Sequence, residues 1–367
     1  MTPHLIPTAA LHDWVVALWL AAGSDGREAR LTADHLVAAN LAGHDSHGVG
    51  MIPRYVDSWL ADELQLNQQP RVVHDHGSML TLDAQRGMGQ AVTQAAMALA
   101  IERARAQGVC VMGLRNTHHL GRVGHWAEQA VAAGLVSVHF VNVVSKPVVA
   151  PHGGTQARFV TNPFTVGIPV PGREPVVLDF ATSALALGKV RVAHNKGVQV
   201  PANALLDHSG APTTDPSAMF PPAGTPPGAL LPFAGHKGYA LAMVCEILGA
   251  AMIGGDTPRP LHTQMKYAVW NNMLAIVFDP ARMGAMDAFG TEFAAFAEWV
   301  QSAPPRAGSE GVLMPGDPER RTRRERADAV PIDGATLAQM DAAARAVGHA
   351  RGTDTPGPLS ALARASG

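Results

Sequence analysis

The chain has 367 residues, 47% hydrophobic and 16% charged, a composition too apolar for disorder and a length beyond the ~250–300 residues that one hydrophobic core usually organises. Lys and Arg number 28 against 30 Asp and Glu, a net charge of -2, so no basic field exists to grip a nucleic acid backbone. With only Cys110 and Cys245, a disulfide framework and a four-cysteine zinc site are excluded, and a reducing, cytoplasmic compartment fits best.

The N-terminus, MTPHLIPTAALHDWVV, has no basic stretch ahead of its apolar residues and does not read as a secretion signal. Thr8–Gly23 has helical apolar spacing through Leu11, Trp14, Val15 and Leu18, and a second helix runs from about Arg27 to a stop at Gly43. The loop HDSHGVG follows, then an amphipathic stretch with Ile52, Tyr55, Val56 and Trp59. Residues 1–72 are thus expected to form a helical N-terminal lobe. Low surface charge argues for an oligomer, in which Trp14, Leu18 and Trp59 would face a partner.

From Val72 the pattern becomes short β-rich runs alternating with helices: VVHDH, MLTLD, a helix over Gln90–Gln107, VCVMGL, a helix from Gly124, and LVSVHFVNV. Further strands are expected at FTVGIPV, PVVLDF and MLAIVFDP, and helices at Ser183–Ala193, His236–Ile253 and Ala288–Gln301. The turn at Gly172 suggests a hairpin, hence a mixed sheet. The apolar run Leu241–Gly255 contains Glu246 and is shorter than the ~20 residues of a bilayer span, so a buried helix is expected and no membrane contact. Asn203–Leu231 reads as a surface excursion and ERRTRRERAD as a solvated face. A last helix over Gly334–Val347 precedes a loose Gly/Pro/Ala tail. Residues 73–318 would be an α/β domain, and 319–367 a helical segment packing back on the N-terminal lobe.

Gly87-Met88-Gly89-Gln90 is the nearest approach to a dinucleotide fingerprint, but it lacks the third glycine and the early position, so it reads as an ordinary turn. Two polar clusters lie at element ends, where rigid supports display functional side chains: His44-Asp45-Ser46-His47-Gly48, and Asn116-Thr117-His118-His119-Leu120-Gly121-Arg122. Asp179 ends an apolar strand, placed either to hold a ribose or to cap a helix. Gly235-His236-Lys237 opens an apolar helix, with a lysine and free N–H groups suited to an anion. Because His44, Asp45, His47, His118 and His119 are metal-ligand types, a metal-dependent hydrolase is the rival reading. No H-E-x-x-H or comparable spacing supports a metal.

The motifs HDSHGVGMIPRY, NTHHLGRVGHWAEQ, TNPF, DFATSALALGK, GAPTTDP, GHKGYALAM and MPGD run in order from about residue 10 to 347, and together resemble the malate/L-lactate dehydrogenase family, closest to its hydroxycarboxylate dehydrogenase branch. The resemblance implies a homodimer built on a mixed, largely antiparallel seven-stranded sheet flanked by helices, not a Rossmann fold. It implies hydride transfer from NAD(P)H, that is NAD or NADP in reduced form, to a small 2-oxo acid. Proton transfer falls on His47 or His118, with Ser46 and Tyr55 orienting the carbonyl or an imidazole. Cofactor contacts fall on His47, Gly121, Arg122, Val123, Ser145, Val177, Leu178, Asp179, Phe180, Ala181, His236, Lys237, Asn271, Pro315, Gly316, Asp317 and Pro318. Many family members have an arginine where this chain has Met51, so the acid's carboxylate is expected on Arg54 or Arg122, beside an apolar Met51 wall.

Overall fold

The computed structural model describes residues 3–363. The first two residues of the segment read for a secretion signal and the last four of the tail lie outside them. Strand β1 (His4–Pro7) leads into α1 (Thr8–Ala22) and α2 (Gly26–Leu41). Asp25 caps α2 by accepting the Glu28 N–H, which satisfies one of the helix's orphan donors. Two 3-10 turns, Asp45–His47 and Val49–Met51, then turn the chain into α3 (Ile52–Leu60).

The second part contains β2 (Arg71–Asp75), β3 (Met79–Asp83), α4 (Gly89–Gln107), β4 (Val109–His118), α5 (Gly124–Ala132), β5 (Val136–Val144), β6 (Pro163–Ile168), β7 (Val176–Ala181) and α6 (Leu187–Lys196). There follow β8 (Leu205–Leu206), β9 (Pro212–Thr213), β10 (Ala229–Leu230), α7 (His236–Gly249), β11 (Trp270–Phe278), α8 (Met286–Gln301), α9 (Asp317–Glu325), β12 (Ala329–Ile332) and α10 (Gly334–Arg351). The main sheet has seven strands in the order β2-β3-β4-β11-β5-β6-β7. Only β3 and β4 run parallel; the other neighbours are antiparallel. The expected mixed, largely antiparallel seven-stranded sheet is therefore present, without the run of parallel strands on which a doubly wound domain is built.

Side chains alternate across these strands, so one face of the sheet buries Leu82, Met112, Leu114, Val141, Met273 and Val277 beneath α4 and α5. At ~1.5–3 kcal/mol for each such side chain removed from water, this layer makes the sheet a rigid platform for the loops at its edge. On the opposite face α7 lies against β5, where a Cβ on Gly249 would fall 2.6 Å from the Phe140 carbonyl. Its Glu246 accepts hydrogen bonds from Asn142 and Asn162.

Several expectations are corrected. Trp14 and Leu18 do not face a partner: both are buried in the helical-lobe core, with Trp14 donating to the Gly357 carbonyl. That core is completed by α10 and by Leu359, so the otherwise largely exposed tail is anchored at that residue. The strand pair β1–β12 went unread because each strand is only four residues long. The stretch 203–231 forms a small three-stranded sheet with buried Leu205 and Leu230, not a mere excursion. The ERRTRRERAD run is the solvated face expected: it forms α9, which buries no residue, and some of its side chains make ion pairs. Helix α6 begins at Leu187 rather than Ser183.

Helix α7 with its following 3-10 turn is, by length and composition, an 18-residue membrane-span candidate, His236–Ile253, of mean hydropathy 1.2. It packs on the sheet through Glu246, Gly249 and Cys245, as a core helix does. The expected burial holds for that face only, since Met243, Val244 and Ile247 are exposed.

Candidate active site

The loop bearing His47 is held from below by Asn40 on α2. Asn40 accepts the Val49 N–H at 2.8 Å and donates to Asp45 at 2.7 Å. A Cβ at residue 48 would fall 2.1 Å from the Asn40 Oδ1, so glycine is required there. From the other side Arg326 donates to the Asn40 carbonyl and to Asp45, each at 2.7 Å, and His44 hydrogen-bonds Glu319 at 3.1 Å. Chain segments far apart in sequence thus fix Ser46 and His47, whose Oγ and Nδ1 lie 3.0 Å apart.

The second histidine pair ends β4, which runs through Asn116 to His118 rather than stopping at Leu114. The GMGQ turn is the seat of this segment. A Cβ on Gly89 would lie 2.1 Å from the His119 carbonyl and 2.6 Å from that of His118, so the backbone can approach only a glycine. His119 then meets the helical lobe: the Tyr55 hydroxyl lies 2.6 Å from its Nδ1, and its ring stacks on that of His47 with centroids 5.6 Å apart and planes 20° apart. His118 packs edge-on to Tyr55 at 4.9 Å, and both its ring nitrogens are buried without a hydrogen-bond partner. Buried polar atoms are rarely left unpaired without a functional reason.

Desolvation keeps this cluster neutral. It pushes His118 down to about 3, with the Arg54 charge adding to the effect, and holds His119 well below the usual imidazole range. His47 is lowered to about 4, chiefly by burial, against an upward pull from the Asp179 carboxylate.

Asp179 lies within β7 and is not the N-cap of the helix that follows it, but it satisfies the first N–H of α5. Its carboxylate accepts from the Gly124 N–H and from Thr165, both at 2.8 Å. Together with Arg122, Val177 and Gly316 it lines one cleft, rimmed by Glu128, Arg320 and Arg323. The Gly121–Val123 loop is set by His35, a buried residue on α2 that accepts the Arg122 N–H at 2.9 Å. Arg122 itself is buried and bonded to Glu128, which also takes Arg323.

The remaining expected residues are dispersed. Asn271 is buried, with its amide engaged by the Leu120 N–H and the Asn142 carbonyl. Pro315 meets Val177 through its carbonyl, and Asp317 is bonded to Arg320 and the Met314 N–H; Pro318 opens α9 beside it. Leu178, Phe180 and Ala181 lie within β7, with Phe180 packed on Phe233 across the sheet from Asp179. His236 and Lys237 are exposed on that same far side, His236 against His152, and Ser145 lies just past β5. Arg54 is accessible, tied only through Nε to the Tyr267 carbonyl at 2.6 Å. Met51 packs on the helical-lobe core. Among the described residues no three His, Cys, Asp or Glu side chains converge as a metal site requires. Sequence reading gave no catalytic place to His119, and none at all to Gln90 and His35; the doubled histidine in NTHHLG was the available signal for the first.

A family model described as malate/L-lactate dehydrogenase matches residues 6–341. Hydroxycarboxylate dehydrogenase B of Escherichia coli K12 is 48% identical over 94% of this chain and 95% of its own length. An L-lactate dehydrogenase of Cupriavidus necator is 40% identical over 86% and 90%. Among solved structures, one described as a putative malate/lactate dehydrogenase from E. coli superposes with a TM-score of 0.90 at 47% identity, over 94% of this chain and 96% of that one. Near-complete coverage at such identity, on the fold and loops just described, places the chain in the malate/L-lactate dehydrogenase family of oxidoreductases.

Proposed function

We propose that this protein reduces 2-oxo acids to 2-hydroxy acids with NADH or NADPH, using His47 and His119 at the carbonyl oxygen and Arg54 at the carboxylate. The stacked His47–His119 pair, with His119 bonded to Tyr55, is the observation on which this rests.

The cleft fits a dinucleotide in its residue types: Asp179 retains lone pairs for ribose hydroxyls, and Arg122 has a buried Nε without a partner. When bound, the nicotinamide supplies the hydride. His119 holds the substrate's carbonyl oxygen by a hydrogen bond, which strengthens as that oxygen takes on charge. His47 delivers the proton to it. Neutral in the free site, His47 gains a proton more readily once the acid's carboxylate and the growing oxyanion lie beside it, Asp179 helping. Arg54 keeps its Nη groups for a two-point grip on the carboxylate; Arg122 is committed to Glu128 and is better suited to the cofactor side. His118, packed edge-on to Tyr55 with both ring nitrogens unpaired, lies next to His119 in the chain.

We place the active site near the interface of a homodimer in the cytoplasm. Support comes from α7 and α8, which leave Met243, Val244, Ile247, Phe296 and Trp299 in water, with Trp299 71% exposed. Monomers rarely show so large an apolar surface. The test of the activity is oxidation of NADH or NADPH, followed at the nicotinamide absorbance, with a panel of 2-oxo acids and no added metal.

A further inference from the structure

The GMGQ turn has a role beyond seating the catalytic segment, and it lies in Gln90. This residue opens α4, is 1% exposed, and sends its side-chain nitrogen to two oxygens: the Tyr55 hydroxyl at 3.1 Å and the His119 carbonyl at 3.3 Å. A backbone carbonyl can only accept a hydrogen bond. The Gln90 atom facing it is therefore the amide nitrogen, and the same nitrogen donates to Tyr55.

The Tyr55 oxygen thus receives a proton it does not own, and its single hydroxyl proton remains for its other neighbour, the His119 Nδ1 at 2.6 Å. A nitrogen that accepts a hydrogen bond has no proton. We infer that Gln90, acting through Tyr55, is a positioning residue that fixes His119 as the Nε2–H tautomer, so that this imidazole presents a donor and not an acceptor to the substrate. The direction of every bond in the series is set at its far end by an acceptor that cannot change role. In another tautomer His119 would turn a lone pair toward the carbonyl oxygen and repel it. Second-shell groups commonly set tautomers in this way. The inference rests on the reductase reading for its catalytic consequence, though the tautomer stands on geometry alone.

The test is the nitrogen-15 spectrum of histidine-labelled protein, with the His119 signals assigned by their loss in His119→Gln. Wild-type protein should show Nε2 protonated and Nδ1 bare near neutral pH. Gln90→Glu reverses the series: the carboxylate accepts from Tyr55, Tyr55 accepts from Nδ1–H, and Nε2 becomes bare. That variant should lose roughly 10²-fold in kcat, in the range for a misdirected catalytic hydrogen bond, with the KM for the nicotinamide cofactor changed less than about threefold. Nδ1–H in wild-type protein, or Nε2–H retained in a folded Gln90→Glu, overturns the inference. If the variant does not fold, the wild-type spectrum still decides. Wild-type protein with Nε2–H His119 that reduces no 2-oxo acid overturns the reductase reading and leaves the tautomer assignment supported.

Discussion

The imidazoles of His47 and His119 lie stacked, 5.6 Å between ring centres, although one ends a turn of the helical lobe and the other follows a central strand of the sheet. Two imidazoles on one small space act as a unit, so their effects should not add. His47→Ala and His119→Ala are each expected to lower kcat by ~10²–10⁴-fold, and the double variant to be little worse than the poorer single one. Steady-state kinetics check this; a full-rate His119→Ala with an inactive His118→Ala would move the role to His118.

Arg54 and Arg122 should separate cleanly. Arg54 has one backbone tether and a free guanidinium edge, so Arg54→Ala should lose about 2–4 kcal/mol of kcat/KM toward the acid while cofactor affinity is kept. Arg122 is buried against Glu128, and truncating one partner of such a pair costs about 3 kcal/mol of stability. Denaturant melts should show that loss for Arg122→Ala and almost none for Arg54→Ala.

Stability should fall on mild acidification. Burial lowers His118 and His139 each to about 3, whereas unfolded histidine titrates near ~6.5. Below that value the unfolded chain binds protons that the native state refuses. The stabilisation is therefore complete above about pH 6.5 and is lost as the pH falls toward 3, at up to about 1.4 kcal/mol per pH unit for each histidine. Melts between pH 7 and 5.5 should show a steep slope, which His139→Leu reduces by one histidine's share. A flat profile would mean that these rings are not buried neutral in solution.

Removing apolar surface from α8 should break the assembly. Trp299→Glu with Phe296→Lys is expected to convert a dimer to a monomer in sedimentation velocity. A wild-type monomer at micromolar concentration would contradict the homodimer.

The sheet and most helices were legible because their apolar spacing is long and regular: β5, β11 and α4 needed no tertiary information. Strands β1 and β12 were not, since four residues set no period and their pairing spans almost the whole chain. The exposed apolar stripe is expected at Trp14, Leu18 and Trp59, because composition shows that surplus apolar surface exists but not which helix keeps it; the first two are buried and Trp59 packs partly on the same core. At the site, the loops bearing His47 and His118–His119 stood out by residue type. What distinguishes the neighbouring histidines is the Tyr55 hydroxyl, brought from the other lobe to His119, and no local spacing contains that contact. The GMGQ turn reads as an ordinary turn, yet its second glycine and its glutamine have structural duties that only the packed carbonyls of His118 and His119 make visible.

The central claim is the reaction itself. Purified protein, free of added metal, should oxidise NADH or NADPH only when a 2-oxo acid is present, with equimolar formation of the 2-hydroxy acid, and His47→Ala should abolish nearly all of that turnover. Absence of turnover with every 2-oxo acid and both cofactors, or undiminished turnover in His47→Ala, would contradict it.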